Sequence, residues 1–286
     1  MTSADDGPDR LSEFLLRHRR VFVLTGAGCS TGSGIPDYRD ADGRWKRGSP
    51  VQYRDFLRHE HIRRRYWARS LVGWPHFARA EPGPAHRALA RLERAGRISQ
   101  IVTQNVDGLH QRAGSRRVLD LHGRLDRVDC LDCGHRVERE ALQASLVAVN
   151  PELAEIVAGI RPDGDAELDG LDLERMRVPD CPCCGGLLKP AVVFFGESVP
   201  QPRVRRAFER LRESEALLVV GSSLMVFSGY RFCREAARLG LPVAALNLGR
   251  TRADAELSLK LVGDCGRLLP GIAERVLAEL PADRRG

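Results

Sequence analysis

Lysine is scarce in this chain of 286 residues: only Lys46, Lys189 and Lys260 are found among its 45 basic residues. The formal net charge is +7 at pH 7, so arginine supplies almost all of the positive charge. Such a bias reflects codon composition as much as selection for a polyanionic partner. Basicity alone therefore does not indicate a nucleic-acid-binding protein, which would also need a basic face or a stacking platform.

Long apolar segments are also lacking. Apolar runs such as residues 21–24 and 217–220 are far shorter than the roughly 20 residues that a membrane helix requires. The first ten residues, MTSADDGPDR, contain neither an apolar signal core nor an arginine-rich targeting segment. Eight cysteines are too few for a secreted disulfide scaffold of this length. We expect a cytoplasmic protein with no membrane partner.

What the sequence does contain is an alternation of short apolar strands and amphipathic helices. Strands are predicted at 21–24, 101–102, 217–220 and 243–246, and each is followed by a polar loop, three of them containing glycine within three residues. Helices are predicted at 85–95, 204–212 and 230–239 between them. This order is typical of an α/β fold, a Rossmann-like doubly wound parallel sheet that binds ligands at the carboxyl ends of its strands.

Two segments interrupt the alternation and predict a smaller, discontinuous domain. Residues 1–39, 82–125 and 190–286 would form the Rossmann-like domain. Residues 40–81 form a helical insert, and 126–189 an insert that carries two cysteine pairs. Within the second insert, residues 150–179 are expected to form a long acidic loop with one helical turn at most, and the part around 162–174 is a candidate edge of the substrate channel.

The glycines that follow the first strand are suited to binding a pyrophosphate. Gly26 and Gly28 permit a tight turn into a predicted helix, whose first amides would face the anion. Thr31 occupies the position of the third glycine of a dinucleotide fingerprint, so an ordinary tight turn remains an alternative. The loop Gly221, Ser222, Ser223 and the amide of Asn247 end two further strands, and their convergence favours a dinucleotide.

Four cysteines have the spacing of a zinc ribbon. Cys130 and Cys133 form one CxxC pair and Cys181 and Cys184 the other, and together they supply the four thiolates of a closed, structural zinc site. Four unligated thiols are the alternative, and Cys183 could replace a neighbour. A zinc ribbon in a basic chain also suggests the hypothesis of nucleic-acid binding. The nearby arginines lie at helical spacing and are more simply explained as the solvated face of an amphipathic helix, so no specific nucleic acid is predicted. The arginines in question are Arg58, Arg63, Arg64, Arg65 and Arg69.

Several longer motifs together resemble the sirtuin, or Sir2-type, family of NAD-dependent protein deacylases. They are GAGCSTGSGIPDYRD (26–40), TQNVDGLHQRAG (103–114), LHG (121–123), the cysteine pairs, KPAVVFFGE (189–197), VVGSSL (219–224) and Asn247. The resemblance covers roughly residues 21–270. RYWARSLVGWPHF (65–77), SGYRF (228–232) and the long gap between the cysteine pairs are similar to class II, which includes the mitochondrial sirtuin described as a lipoamidase and ADP-ribosyltransferase.

The resemblance implies a role for each motif. His122 would be the general base and Asn105 a second catalytic residue, a choice that suits histidine because it exchanges protons near neutral pH. NAD would be consumed as a co-substrate, with one structural zinc. The residues expected to contact NAD are Gly26, Ala27, Gly28, Ser30, Asp37, Tyr38, Arg39, Gln104, Asn105, Val106, Asp107, Gly221, Ser222, Ser223, Asn247, Leu248, Gly249 and Cys265. His86 and His110 are expected to be structural.

The implied substrates are acylated lysines of proteins. Val193, Phe194 and Phe195 would pair with the acyl-lysine peptide as a neighbouring strand. Tyr66 and Arg69 reproduce a Tyr-x-x-Arg spacing that binds an acidic acyl group in desuccinylating relatives, and the alternative is that Arg69 only supports local structure. The expected products are free lysine, nicotinamide and O-acyl-ADP-ribose. Mono-ADP-ribosylation at the same site and a non-catalytic ADP-ribose or zinc-ribbon interaction protein are the competing hypotheses.

Overall fold

The computed structural model describes residues 7–46, 50–159, 163–168, 170 and 173–281. In this part of the chain the α-helices are α1 (Gly7–Arg17), α2 (Tyr53–Arg58), α3 (Glu60–Arg79), α4 (Pro84–Arg94), α5 (Leu109–Arg112), α6 (Arg139–Val149), α7 (Pro151–Ala154), α8 (Gln201–Arg212), α9 (Phe227–Arg238) and α10 (Cys265–Ala278). The strands are β1 (Val21–Thr25), β2 (Ile98–Thr103), β3 (Val118–Asp120), β4 (Gly123–Cys130), β5 (Arg136–Glu138), β6 (Leu188–Val192), β7 (Ala216–Val220), β8 (Val243–Asn247) and β9 (Leu259–Val262).

Six strands form one parallel sheet in the order β3-β2-β1-β7-β8-β9. When these six strands are numbered one to six by their order in the sequence, the arrangement is the 3-2-1-4-5-6 order of a doubly wound fold. The predicted fold class is therefore confirmed. The strand order reverses between β1 and β7, and ligands of such sheets bind in the crevice outside this point.

Helices cover both faces of this sheet, which explains why β1 and β7 are buried along their whole length. Successive side chains of β1 enter different cores: Val23 packs in the cluster that contains residues of α1, α4 and α10. Phe22 packs instead with Phe232 of α9 and Leu211 of α8. β1 is therefore fixed by packing on both faces of the sheet.

A second, antiparallel sheet has the order β5-β4-β6. Together with α2, α3 and α6 it packs around a separate apolar cluster that includes Trp67, Leu142 and Leu188. This arrangement has the predicted components, a ribbon and a helical insert. The exact domain boundaries stay a prediction.

The structure differs from the sequence prediction after β1. No α-helix begins in residues 26–46; two short 3-10 turns, Ala27–Cys29 and Thr31–Ser33, follow the strand instead. The prediction of a helix after Gly28 is therefore wrong. The short turns offer single N–H groups to an anion without the aligned dipole of a long helix, and the anion site itself stays a prediction. The edge strands β3 and β9, with three and four residues, were not predicted either.

The longest helix, α3, also departs from expectation. It was predicted to present its arginines to solvent, yet Arg69 is buried, with only 8% of its surface exposed. α3 has 20 residues, but its charged side chains rule it out as a membrane segment, and among the described residues no other helix has the length and apolar character needed to cross a bilayer.

Candidate active site

A cleft of about 870 Å³ lies at the carboxyl ends of β1, β2, β7 and β8 and continues towards β6 and α3. Every residue predicted to contact NAD lines this cleft, as do His122, Tyr66 and residues 193–195. Arg69 does not line the cleft, and neither do the four paired cysteines. The structure thus brings together residues that are distant in sequence, and the space is large enough for a dinucleotide and part of a second substrate.

The loops after β1 and β7 cross with their backbones in contact. A Cβ atom built on Gly28 would lie 3.0 Å from the Cα atom of Gly221, and one built on Gly221 would lie 2.5 Å from the nitrogen of Cys29. Gly221 also has a left-handed φ of +60°, which favours glycine. These glycines keep the floor of the cleft free of side chains, as close backbone approach to a pyrophosphate requires.

Replacing Gly221 by alanine is expected to weaken dinucleotide binding by more than about tenfold, or about 1.4 kcal/mol. The new methyl group would force apart the two loops that form the floor. Titration calorimetry with NAD measures the effect. Gly240→Ala is the matched control, because Gly240 has a similar φ of +70° but no atom within 4 Å of the added carbon. Equal NAD affinities of the two variants would contradict the proposed floor.

Ser30 is the centre of a polar network beneath the first loop. Its hydroxyl donates to Asp107 Oδ2 at 2.7 Å and accepts from Asn105 Nδ2 at 2.9 Å. The same Asn105 amide donates to the carbonyl oxygen of Gly26 at 3.0 Å. The side chain of Asn105 therefore holds the glycine turn in position. Its predicted catalytic role stays a prediction.

His86 and His110 lie behind this network and are almost fully buried. Thr25 Oγ1 is 2.9 Å from His110 Nε2, and the N–H of Gly83 donates to His86 Nδ1. Burial lowers the pKa of both rings, so they are neutral. They approach the thiol of Cys29, but His86 must carry its proton on Nε2, so the group is poorly suited to binding a cation. A structural role, as expected, fits this arrangement.

His122 lies immediately before β4 and is held through both ring nitrogens. Its Nδ1 lies 2.9 Å from the carbonyl oxygen of Gln104, which can only accept, so Nδ1 carries the proton. Nε2 is therefore the basic nitrogen, and it accepts from the hydroxyl of Ser228 at 2.7 Å. Burial lowers the pKa of His122 from 6.5 to about 4, and the positive charges of Arg203 and Arg231 act in the same direction. The ring is thus a neutral base at physiological pH.

Ser228 is a cleft residue that the sequence reasoning noted only as part of a class pattern. Replacing it by alanine leaves the burial of the ring and the charges of Arg203 and Arg231 in place, so the pKa of His122 should stay well below 6.5. Activity that needs a neutral base is lost as pH falls through this pKa. In the profile of kcat/KM against pH, the acid limbs of the wild type and of Ser228→Ala should therefore both lie well below 6.5.

The matched control for this pH profile is Ser145→Ala, which changes an exposed serine of α6. Its acid limb should coincide with that of the wild type. An acid limb near 6.5 in Ser228→Ala would show that this hydroxyl, and not burial, keeps the pKa of His122 low.

The loop of residues 37–46 folds over the cleft. The Trp45 ring packs 5.4 Å from the Phe195 ring, and the guanidinium of Arg39 lies 3.9 Å from the centre of the Trp45 ring. Lys46 pairs with the carboxylate of Asp37. The predicted NAD contacts in this loop are therefore linked directly to the predicted peptide segment.

Residues 193–195 connect β6 to the rest of the cleft. The N–H of Val193 donates to the carbonyl oxygen of His122 at 2.7 Å, and the carbonyl oxygen of Phe195 accepts from Tyr53. The Phe194 ring packs 5.3 Å from that of Tyr66. This segment therefore links His122, the predicted general base, to α3. Three of its backbone groups already have backbone partners, since the carbonyl oxygen of Phe194 also accepts from the N–H of Glu197, and the N–H of Phe194 donates to the Glu197 carboxylate.

The four paired cysteines form one cluster at the turns that flank β4 and β6. Their sulfur atoms all lie within 4.8 Å of one another, with 3.5 Å between Cys130 and Cys184 and 3.8 Å between Cys133 and Cys181. Four sulfurs at about 2.3 Å from one Zn²⁺ in a tetrahedron lie about 3.8 Å apart. The donor set therefore fits one structural zinc with no open position, and the cluster is separate from the cleft.

Comparison with known proteins gives consistent matches over most of the chain. The model of the Sir2 family matches residues 26–228. An NAD-dependent protein deacetylase of Bordetella bronchiseptica is 58% identical over 259 residues, covering 91% of this chain and 94% of the relative. The NAD-dependent protein deacylase Sirt4 of Drosophila melanogaster is 48% identical over 269 residues, 93% of this chain and 86% of the relative.

Solved structures agree with these matches. A Sir2 enzyme with a deacetylated p53 peptide and 3'-O-acetyl ADP-ribose superimposes with a TM-score of 0.75 at 31% identity, covering 96% of this chain and 98% of the other. A Sir2 homologue in complex with NAD gives a TM-score of 0.72 at 27% identity, covering 96% and 95%. Sequence, fold and the arrangement of the cleft lead to one conclusion: this chain belongs to the Sir2 family.

Proposed function

We propose that this protein is an NAD-dependent protein-lysine deacylase. The observation that carries the proposal is His122, a neutral histidine whose basic nitrogen faces the cleft where the loops after β1, β2, β7 and β8 converge. The relatives described as NAD-dependent deacetylases and the family's complexes with NAD and acetyl-ADP-ribose support it.

In this proposal each part of the cleft has a separate task. NAD supplies an electrophilic ribose carbon and nicotinamide as the leaving group, and the carbonyl oxygen of an acyl-lysine attacks that carbon. The loops at Gly28 and Gly221 hold the pyrophosphate. His122 Nε2 removes a proton from a ribose hydroxyl, whose oxygen attacks the acyl carbon. The lysine amine then leaves with a proton, and water adds to the acyl carbon and breaks one of its two bonds to the ribose, which gives O-acyl-ADP-ribose. For the proton transfer to His122 the hydroxyl of Ser228 has to give way to that of the ribose, because both would donate to the same nitrogen.

Residues 193–195 are proposed to bind the peptide through backbone pairing. Val193 N and Phe195 O already have backbone partners, and both backbone groups of Phe194 bond to Glu197. The peptide would therefore use the carbonyl oxygen of Val193 and the N–H of Phe195. The zinc is proposed to hold the antiparallel sheet in place without contacting either substrate. A cytoplasmic location remains a prediction from the sequence.

The test is the identity of the products. The zinc-loaded protein is incubated with NAD and peptides that carry acetyl-, succinyl- or lipoyl-lysine, and the mixture is analysed by mass spectrometry. Deacylation should yield deacylated peptide, nicotinamide and O-acyl-ADP-ribose in equal amounts. ADP-ribosylated protein without deacylated peptide would instead identify a mono-ADP-ribosyltransferase. Folded protein that binds neither NAD nor ADP-ribose in calorimetry would overturn both functions.

A further inference from the structure

The end of the cleft at α3 contains a buried ion pair between a helix and the acidic loop. Arg69 Nη2 lies 3.3 Å from Asp165 Oδ2, with side-chain exposures of 10% and 2%. Tyr66, one turn earlier on α3, lines the cleft beside Phe194. The Tyr-x-x-Arg pair that would receive an acidic acyl group is therefore present, but its guanidinium already has a carboxylate partner that belongs to the protein.

The acidic loop is seated on α3 through its backbone as well. The N–H of Ala166 donates to the carbonyl oxygen of Arg69 at 2.9 Å. Gly73, one turn further along α3, leaves room for the loop, because a Cβ atom there would lie 2.0 Å from the carbonyl oxygen of Gly164. Asp165 is thus placed opposite Arg69 by two contacts that are independent of the ion pair.

Two aspartates of the acidic loop lie at this end of the cleft. Asp163 and Asp165 both line the cleft. Burial, and after it the negative charges of these two aspartates, raise the pKa of the Tyr38 and Tyr66 hydroxyls well above the ordinary value. Arg69 provides the positive charge that balances Asp165. A carboxylate on the substrate would therefore meet two carboxylates of the protein and a guanidinium that is already paired.

We propose that Asp165 determines acyl specificity by occupying Arg69, so that the enzyme selects acyl groups without a terminal negative charge. The inference rests on the proposed deacylase function and names its substrate class. It replaces the expectation that Arg69 recruits an acidic acyl group. Arg69 would still be able to do so once Asp165 is removed: the planar guanidinium suits a carboxylate, and within the described residues its Nε has no hydrogen-bond partner.

The experiment compares two peptides of the same shape: the acyl group of succinyl-lysine ends in a carboxylate, and that of succinamoyl-lysine ends in a neutral amide. For the wild-type protein with NAD, kcat/KM for the succinyl peptide should be lower by at least about tenfold. In Asp165→Asn the same ratio should shift towards the succinyl peptide by at least about tenfold, because Arg69 is then unpaired. In the double variant Asp165→Asn with Arg69→Gln this gain should disappear.

The outcomes separate this inference from the function on which it rests. If the wild-type protein deacylates both peptides equally well, or prefers the succinyl peptide, the inference is overturned. This comparison requires no variant. A gain that persists in the double variant also overturns it, because Arg69 is then not the receptor. If the wild type deacylates neither peptide, nor an acetyl-lysine peptide, the deacylase function itself fails and the inference with it.

Discussion

Replacing His122 by alanine lowers kcat/KM for deacylation by about 10²- to 10⁴-fold, the usual contribution of a positioned general base. The loss is expected because the ring is the neutral base of the cleft, with its proton fixed on Nδ1 by the carbonyl oxygen of Gln104. The rate of appearance of deacylated peptide, measured by mass spectrometry at pH 7.5, gives the result.

Two controls make this result specific to the base. His61→Ala changes an exposed histidine of α3 and should leave the rate unchanged. His122→Ala should still bind NAD in calorimetry, since the glycine loops that hold the pyrophosphate remain. Full activity of His122→Ala would remove the histidine from the mechanism, whereas loss of NAD binding would show that it supports the cleft itself.

The central sheet could be predicted because its signal is local. Residues 21–24 and 216–220 are continuous apolar runs that are soon followed by Gly26 and Gly221, and an open parallel sheet places such strand ends at one edge. The convergence of the predicted NAD contacts follows from that geometry. The edge strands β3 and β9 could not be predicted, because three or four residues carry too little periodicity to be distinguished from a loop.

Two side-chain contacts at and near the site could not be predicted from the sequence, because they join distant segments. Ser228 contacts His122 across 106 positions, and Arg69 meets a carboxylate of a loop almost 100 positions away. In the sequence Arg69 is one of several arginines at helical spacing, which favours a solvated face. A small signal was nevertheless present: Gly73 in the middle of α3 indicates a close backbone approach, and the structure places the acidic loop there.

Replacing Cys184 by serine removes zinc and abolishes deacylation. Structural zinc sites have apparent binding free energies of about 10–16 kcal/mol, more than the stability of many whole domains. The sheet β5-β4-β6 should therefore lose its order, which can be followed by zinc content, proteolysis and the rate of deacylation. Cys183→Ser is the matched control: Cys183 lies between the two cysteines of the second pair and is exposed, but it does not belong to the cluster.

The effect on activity follows from the connection between the zinc sheet and the cleft. His122 directly precedes β4 and Val193 directly follows β6, and the two strands pair at Gly123 and Val192. The next contact along this ladder is the hydrogen bond from Val193 to the carbonyl oxygen of His122. Loss of the metal therefore frees both the base and the proposed peptide segment, although neither touches the zinc. A Cys184→Ser protein that lacks zinc but retains normal kcat/KM would contradict this coupling, and so would equal loss in Cys183→Ser.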